Sequence, residues 1–466
     1  VVLDEFHERS MDTDLALAIL HHRRFKRLVV MSATIDVVPV VNFLGGLHVE
    51  GRGRVFPVEI RHMRDGSTGP TGTDIGQRVA EAVKGIPASF GDILVFLPGK
   101  GEISASKAVL AKDPMCEGYE ILTLHGGLDL KSQSDIFQPT RRPRVILSTN
   151  VAETSITVPR IGAVIDSGLV RRTQYHDGRG FLTLMPIAMD SAEQRAGRAG
   201  RLQPGLCLRL WGRGARLKKS TPPALHRESI TPLVHAVYAC GYDMKALAFL
   251  DNPKDYAVEA AKKELRSLGA IESGIGLTPC GRALFGLPLD PPLGRILLQA
   301  QTQGVLNDAI DLVSALSIGR AIFTTQVDAS WEADVLRKEG CDGLALIRAI
   351  RWGEPSLHRL NPSALGDARR VAKRLRHAFE APATPQDAPI ERSILMDAIL
   401  RSDRRMAYVA RRRKRTLAWS NGGTEAQLSK TSSLWSYLSQ DQNAELEAVV
   451  GLQVRALVRG QLTKTL

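Results

Sequence analysis

The chain opens on a run of three apolar residues, Val1 to Leu3, that ends in two adjacent carboxylates, Asp4 and Glu5, with His7 two residues on. A lone acidic pair after an apolar run is most often a buried strand meeting water. Chemistry needs partners. Beyond the carboxyl end of a parallel strand, one carboxylate can hold Mg²⁺ together with substrate phosphates, and a second can deprotonate a water. Four further strings offer partners: "SAT" at 32–34, "STNVAETSITV" at 148–158, "IDSGLVRRTQYHDGRGFLTL" at 165–184 and "QRAGRAGR" at 194–201. In the last, Arg195, Arg198 and Arg201 recur every third residue, the spacing of one side of a helix. The small residues between them allow close backbone approach, and guanidinium forks suit phosphate oxygens.

These strings need a scaffold that brings strand ends together. Residues 1–210 alternate short β-rich runs ("RLVVMSAT", "DILVFLPG", "EILTLHGG", "RVILSTN", "AVIDSG") with helical patterns at 74–84, 101–111 and 128–138. That is the βαβ rhythm of a covered parallel sheet. "GSTGPTGT" at 66–73 reads as a linker. After residue 215 the strand rhythm fades. A helix stopped by Gly241 is followed by a helix, a Gly stop, a small hairpin and a second helix capped by Thr278 with Pro279 at its first position. That order predicts a winged-helix unit. Residues 291–380 read as helical, "APATPQDAP" at 381–389 as a second linker, and 392–415 as a basic helix.

Composition narrows the partners. With 44% hydrophobic and 24% charged residues, the 466-residue chain is an ordinary globular protein with room for several domains. No apolar run reaches the roughly 18 residues of a membrane helix, and the first residues given do not read as a basic-then-apolar export leader. The five cysteines contain no C-x-x-C pair, which argues against a disulfide framework or a zinc site and suits the cytoplasm. The net charge of +13 favours a polyanion. Residues 341–420 hold 17 Lys+Arg against 8 Asp+Glu, a surplus of nine, so most of the excess lies far from the acidic opening. Arg411, Arg412 and Arg413 are therefore expected to grip nucleic-acid phosphates.

Taken together and in order, the motifs resemble a superfamily 2 helicase of the DEAH/RHA class, most like its bacterial HrpB branch. "DEFH" is similar to motif II, "SAT" to motif III, "LVFLPG" to motif IV, "STNVAETSITV" to motif V and "QRAGRAGR" to motif VI. The resemblance implies an α/β fold with tandem RecA-like domains, winged-helix and helical ratchet-like domains after them. Divided accordingly, the first RecA-like domain covers 1–66 in part, the second 67–215, the winged helix 216–290, the ratchet 291–385 and a basic, OB-like extension 386–466. The implied activity is ATP-dependent translocation on RNA and its unwinding. The implied cofactors are ATP and Mg²⁺, and the implied partner is single-stranded RNA or a duplex with an overhang. DNA stays possible, because both are gripped through phosphates.

By the same resemblance, Asp4 with Glu5 meets Mg²⁺, and Glu5 polarises the attacking water. His7 links the site to motifs III and VI, and Ser32 and Thr34 couple hydrolysis to domain movement. Gln194 contacts the γ-phosphate or the water, and Arg198 and Arg201 are arginine fingers. Gln133 and Phe137 hold the adenine, Glu153 and Asp166 lie on the nucleotide side, and Thr149, Asn150 and Thr154 grip nucleotide or RNA backbone. Residues 171–183 match a strand-separating β-hairpin with its turn at Asp177-Gly178. Three departures stand out. Phe6 replaces the Ala of the class, and Pro98 departs from its commoner residues. No G-x-x-x-x-G-K-[ST] occurs, and the single Gly-Lys pair, Gly99-Lys100, lies in the motif IV loop. The chain thus reads as a fragment starting at motif II, and the alternative function is a nucleic-acid-binding module without turnover.

Overall fold

Continuous apolar runs and helical stripes alternate through the first half of the chain, and they build a covered parallel sheet. The computed structural model describes the chain except residues 34, 52–55, 127–135, 139, 141, 154–157, 177–178, 275, 319–320, 324–340, 354–359, 385–387, 414–415, 424, 430–431, 441–445, 453–454, 460 and 466. Two units divide it: Val1–Glu228 with Ala248–Pro253, and Ser229–Leu247 with Lys254–Leu466.

In the first unit, β1 (Val2–Leu3) pairs in parallel with β2 (Val29–Val30). Between them runs α1 (Met11–His22), whose N-cap Ser10 accepts the Thr13 N–H. After β2 comes α2 (Val37–Leu44), stopped by Gly45 at φ 60°. The larger sheet is built from β3 (Val58–Arg64), β4 (Asp92–Phe96), β5 (Glu120–Leu124), β6 (Arg144–Ser148), β7 (Ile161–Asp166) and β10 (Gly205–Gly212). Its order is β3-β10-β7-β4-β6-β5, parallel throughout. Both faces are covered, so β4, β6 and β7 are buried at every residue. Ile93, Val95, Val145 and Leu147 pack on one face with α3 (Ile75–Lys84) and α4 (Lys100–Leu110). Leu94, Phe96, Ile146 and Val164 pack on the other with Ala196 and Ala199. Strand alternation sorts the side chains. Asp92 and Arg144 pin the starts of β4 and β6 with a fully buried pair at 2.7 Å. Between β7 and β10 lie the antiparallel hairpin β8 (Leu169–His176) and β9 (Arg179–Pro186), then α5 (Met189–Gly197).

The second unit begins with α6 (Thr231–Ala239), followed by Gly241 at φ 80°. Next come α7 (Asp255–Ser267) and α8 (Pro279–Phe285), whose N-cap Thr278 accepts the Gly281 N–H at 2.9 Å. The hairpin expected between α7 and α8 is not there: among the described residues 269–278 no strands pair. Thr278 instead folds back, its N–H and hydroxyl both donating to the Ala270 carbonyl at 3.1 Å. The helices α9 (Pro291–Thr302), α10 (Leu306–Ser317), α11 (Asp342–Trp352), α12 (Pro362–Ala378) and α13 (Arg392–Ser402) share one core around Ile296, Ile310, Ile347 and Leu375.

The basic helix expected over 392–415 ends at Ser402. Residues 407–413 are β11 (Ala407–Arg413), paired antiparallel with β12 (Thr416–Ser420) and β14 (Ala448–Val450), with β13 (Glu425–Ala426) beyond β12. The helix is broken locally, and the strand is made by its neighbours. Asp403 leaves helical geometry and takes the Arg405 guanidinium at 2.7 Å. From there the pattern has period two: Tyr408 is buried, Val409 exposed, and Arg411 exposed. Buried Trp419 on the partner strand completes that small core, and packing overrides the helix propensity of Arg and Ala. A final hairpin joins β15 (Arg455–Arg459) to β16 (Gln461–Thr465). No described helix is long and apolar enough to cross a membrane.

Candidate nucleotide and nucleic-acid site

Asp4 leaves β1 at its carboxyl end, where a parallel sheet exposes its functional edge. Its Oδ1 accepts the Glu5 N–H at 2.8 Å, and Glu5 adopts the left-handed region at φ 49°. Such a conformation is costly for a non-glycine residue and recurs at functional sites. Two backbone bonds tie motif III to this loop: Met31 N–H donates to the Leu3 carbonyl at 2.8 Å, and Phe6 N–H donates to the Met31 carbonyl at 3.0 Å. His7 Nε2 lies 3.4 Å from the Glu5 carboxylate. Both ring nitrogens of His7 and the hydroxyl of Ser32 are buried without hydrogen-bond partners among the described residues. Unmet buried polar atoms are costly unless another molecule or state of the protein satisfies them.

Phe6, the departure from the class pattern, has a structural reason. It is fully buried in a cluster with Leu17 and Val40. Arg9 lies 5.5 Å from its ring and holds Asp14 at 2.8 Å and Asp251 at 2.6 Å. Arg9, Asp14 and Asp251 escaped sequence reasoning, since charged residues 242 positions apart carry no local signal. They fix the trailing side of the acidic loop.

Motif VI departs from the single helical face that its spacing suggested. Helix α5 ends at Gly197, so Arg198 caps it and Arg201 lies in the turn beyond. Arg195 is only 1% exposed. Its Nε donates to Glu153 at 2.8 Å, its Nη1 to Asp166 at 2.9 Å, and it sits 4.9 Å over the Phe96 ring. Glu153 also accepts the Ser191 hydroxyl. Burial pushes the Asp166 carboxyl above its ordinary value, against the pull of Arg195. Glu153 and Asp166 thus lie in the interior around Arg195, where they fasten motif V and the end of β7 to motif VI. Sequence spacing offered one clue to Arg195: it precedes Arg198 by three.

Arg198 is mostly buried, and its Nη2 donates to the Glu153 carbonyl. Burial first, then Arg201, push its guanidinium down to about 10, while Glu153 and Glu5 oppose the shift. It is therefore cationic at neutral pH. Gln194 is half-buried on α5. Gly200 explains one of the small residues: an added Cβ would sit 2.6 Å from the Phe56 carbonyl, whereas at Gly197 it would meet nothing within 4 Å. The close approach is to the chain entering β3.

Motif V leaves β6 at Thr149, whose N–H donates to the Leu124 carbonyl at 3.1 Å, and turns through Asn150–Ala152. Phe137 is 41% exposed beside buried Ile136. The hairpin β8–β9 is anchored by buried Leu169 and Val170, by Arg171 on Glu102 at 2.6 Å and by Arg172 on Thr221 at 3.2 Å. Gly99-Lys100 proves to start α4, but after a three-residue loop rather than a phosphate cradle. Thr34, Gln133, Thr154 and the Asp177-Gly178 turn lie outside the described residues, as do the side chains of Arg412 and Arg413.

The residues present fit Mg²⁺ bound to a nucleotide. Among the described residues no group of three or more His, Cys, Asp or Glu side chains could hold a metal by itself. Two carboxylates beside orphaned polar atoms suit an ion that takes one or two protein ligands and its remaining ligands from phosphates and water.

Fold and site together define the class: the chain belongs to the DEAH/RHA class of superfamily 2 helicases, close to the HrpB branch. A model described as helicase conserved C-terminal domain matches residues 79–203, and one described as helicase associated domain (HA2), ratchet-like, matches 290–381. The chain is 36% identical to the ATP-dependent RNA helicase HrpA of Escherichia coli (strain K12), over 68% of this chain and 26% of that protein. It is 31% identical to the ATP-dependent RNA helicase DHX33 of Drosophila melanogaster, over 82% of this chain and 59% of the relative. A crystal structure of the E. coli DExH-box NTPase HrpB superposes with a TM-score of 0.71 at 25% identity, covering all of this chain and 54% of that one. The chain therefore spans about a quarter of HrpA and about half of HrpB.

Proposed function

We propose that these residues form the motif II-to-VI portion of an ATP-dependent RNA helicase, which couples hydrolysis to movement along RNA. The observation that supports this reading is the strained acidic loop itself: Asp4 and Glu5 stand at the carboxyl end of β1, Glu5 in the left-handed region at φ 49°, beside the polar atoms of His7 and Ser32, buried and unpartnered among the described residues. An acid able to take a proton from water and a buried cation able to meet developing negative charge are the two halves of phosphoryl-transfer catalysis. In this reading Asp4, with Glu5 beside it, holds Mg²⁺, which supplies charge neutralisation at the phosphates. Glu5 accepts the proton of the attacking water. His7 passes the state of the site to Ser32 and Thr34, and Gln194 orients the water. Arg198 and Arg201 neutralise the transition state. Phe137 and Gln133 take the adenine, and Glu153 and Asp166 act through Arg195 by holding motif VI in place.

On the nucleic-acid side, Thr149, Asn150 and Thr154 grip the RNA backbone, the β8–β9 hairpin parts the strands, and Arg411, Arg412 and Arg413 add phosphate contacts. DNA would be gripped by the same contacts. We assign 216–290 to the place a winged helix holds in the class, although no strands pair between α7 and α8 among the described residues, assign 386–466 to an OB-like extension, and place the protein in the cytoplasm.

One sequence fact favours a narrower role for the 466 residues alone: they contain no G-x-x-x-x-G-K-[ST]. The test has two arms. Purified chain should bind single-stranded RNA without RNA-stimulated phosphate release above a contaminant control. The same residues placed after a phosphate-cradling segment should release phosphate, and RNA should accelerate it. Failure of the joined protein to hydrolyse ATP would overturn the enzymatic reading.

A further inference from the structure

A second charged cluster lies in the helical core of the second unit, outside every motif above. A cleft of about 530 Å³ opens between α10, α11, α12 and the chain just after α12. Arg351, Arg369, Lys373 and Arg376 line it, with Asp311 as the lining carboxylate. Asp311 is fully buried and saturated: Oδ2 accepts Arg351 Nε at 2.7 Å, and Oδ1 accepts Arg376 Nη2. Arg351 also holds Asp308 at 2.5 Å, and the second oxygen of Asp308 accepts the Glu391 N–H at 3.0 Å.

Both carboxylates are thus committed, and two donors are left over. Arg376 Nε is buried without a hydrogen-bond partner, and Lys373 has no hydrogen-bond or ion-pair partner among the described residues. They stand three residues apart on α12, which brings them to one side of the helix. Four cations face two carboxylates, a surplus of two positive charges. Arg369 is held in place by the α11 carbonyls of Ile350 at 2.8 Å and Ala349 at 3.3 Å. Ile350 and Ala372 supply an apolar floor.

We propose that this cleft binds a phosphomonoester dianion through Arg376 Nε and Lys373. Two surplus charges match a dianion, whereas a phosphodiester carries only one. A guanidinium edge and an ammonium are the donors that phosphate oxygens take. The volume admits a ligand of mononucleotide size, and its organic part would lie on the apolar floor. The phosphomonoester comes either from a free small molecule or from the 5′ end of a phosphorylated strand.

The experiment is equilibrium dialysis of the full chain against radiolabelled inorganic phosphate, with Lys373→Glu and Arg376→Lys as variants. Lys373 is exposed, so its reversal leaves the core intact. Phosphate should bind saturably, and Lys373→Glu should weaken that binding at least about tenfold. Competition identifies the source. A 5′-phosphorylated oligonucleotide that displaces phosphate where its 5′-hydroxyl counterpart does not marks a strand end. Displacement by a nucleoside 5′-monophosphate but by neither oligonucleotide marks a free ligand. Absence of saturable binding, or equal binding by the parent and a Lys373→Glu chain with the parent's circular dichroism, would overturn the proposal.

Discussion

Two arginine-rich stretches, 194–201 and 401–413, look alike in sequence and are used oppositely. In the first, Arg195 is sealed inside with Glu153 and Asp166, and Arg198 is mostly buried. In the second, Arg401 and Arg405 hold aspartates two to four residues away at the surface, and Arg411 stands exposed on a strand. Cations inside a fold are fixed by specific partners and can act on charge that develops at one point. Exposed cations act on diffuse charge, with a strength that salt controls. Charge density along the sequence does not separate the two; burial does.

The sharpest way to break this comparison is Arg198→Ala in a protein that turns over ATP. Turnover should fall by roughly 10³–10⁵ with RNA affinity nearly unchanged, as expected of an arginine finger. Steady-state hydrolysis beside an RNA titration measures both, and weakened RNA binding with normal turnover would make Arg198 an RNA contact. Next in size is Arg195→Met. It leaves Glu153 and buried Asp166 without their cation, which costs about 3–5 kcal/mol of stability. Urea unfolding followed by circular dichroism reads it, and an unchanged midpoint would show that the network is not structural.

Smaller effects separate the glycines. Gly200→Ala forces a methyl against the Phe56 carbonyl and should cost about 1–3 kcal/mol. Gly197→Ala meets open space and should stay within about 0.5 kcal/mol. The smallest effect belongs to the exposed stretch. Arg411→Ala should flatten the salt dependence of single-strand binding by about 0.7 of a log unit per log unit of salt, whatever the oligonucleotide sequence. Fluorescence anisotropy at several salt concentrations measures the slope.

The same contrast explains how much could be read from the residues alone. The parallel sheet was legible because strands buried on both faces must be apolar runs, as in "DILVF" and "RVILS". The helices at 74–84 and 101–111, the Gly241 stop and the Thr278 cap follow local rules and appear where expected. The order of the acidic and arginine-rich motifs was legible as that of one helicase class. What escaped depends on distant partners. The inward turn of Arg195 needs Glu153 and Asp166 from other elements. The strand at 407–413 needs Trp419 and the edge of β14, since "AYVARRR" by itself suits a helix equally well. The hairpin expected before Thr278 is reduced, among the described residues, to a turn whose arms meet in one backbone bond, from the Thr278 N–H to the Ala270 carbonyl.

The central claim is the proposal that Glu5 takes the proton of the attacking water. Glu5→Gln tests it most directly, in a protein where these residues follow a phosphate cradle. Glutamine keeps the shape of the loop but accepts no proton from water. ATP binding should remain within about threefold of the parent while turnover drops by roughly 10²–10⁴. A mutant that hydrolyses ATP at close to the parental rate would contradict the account.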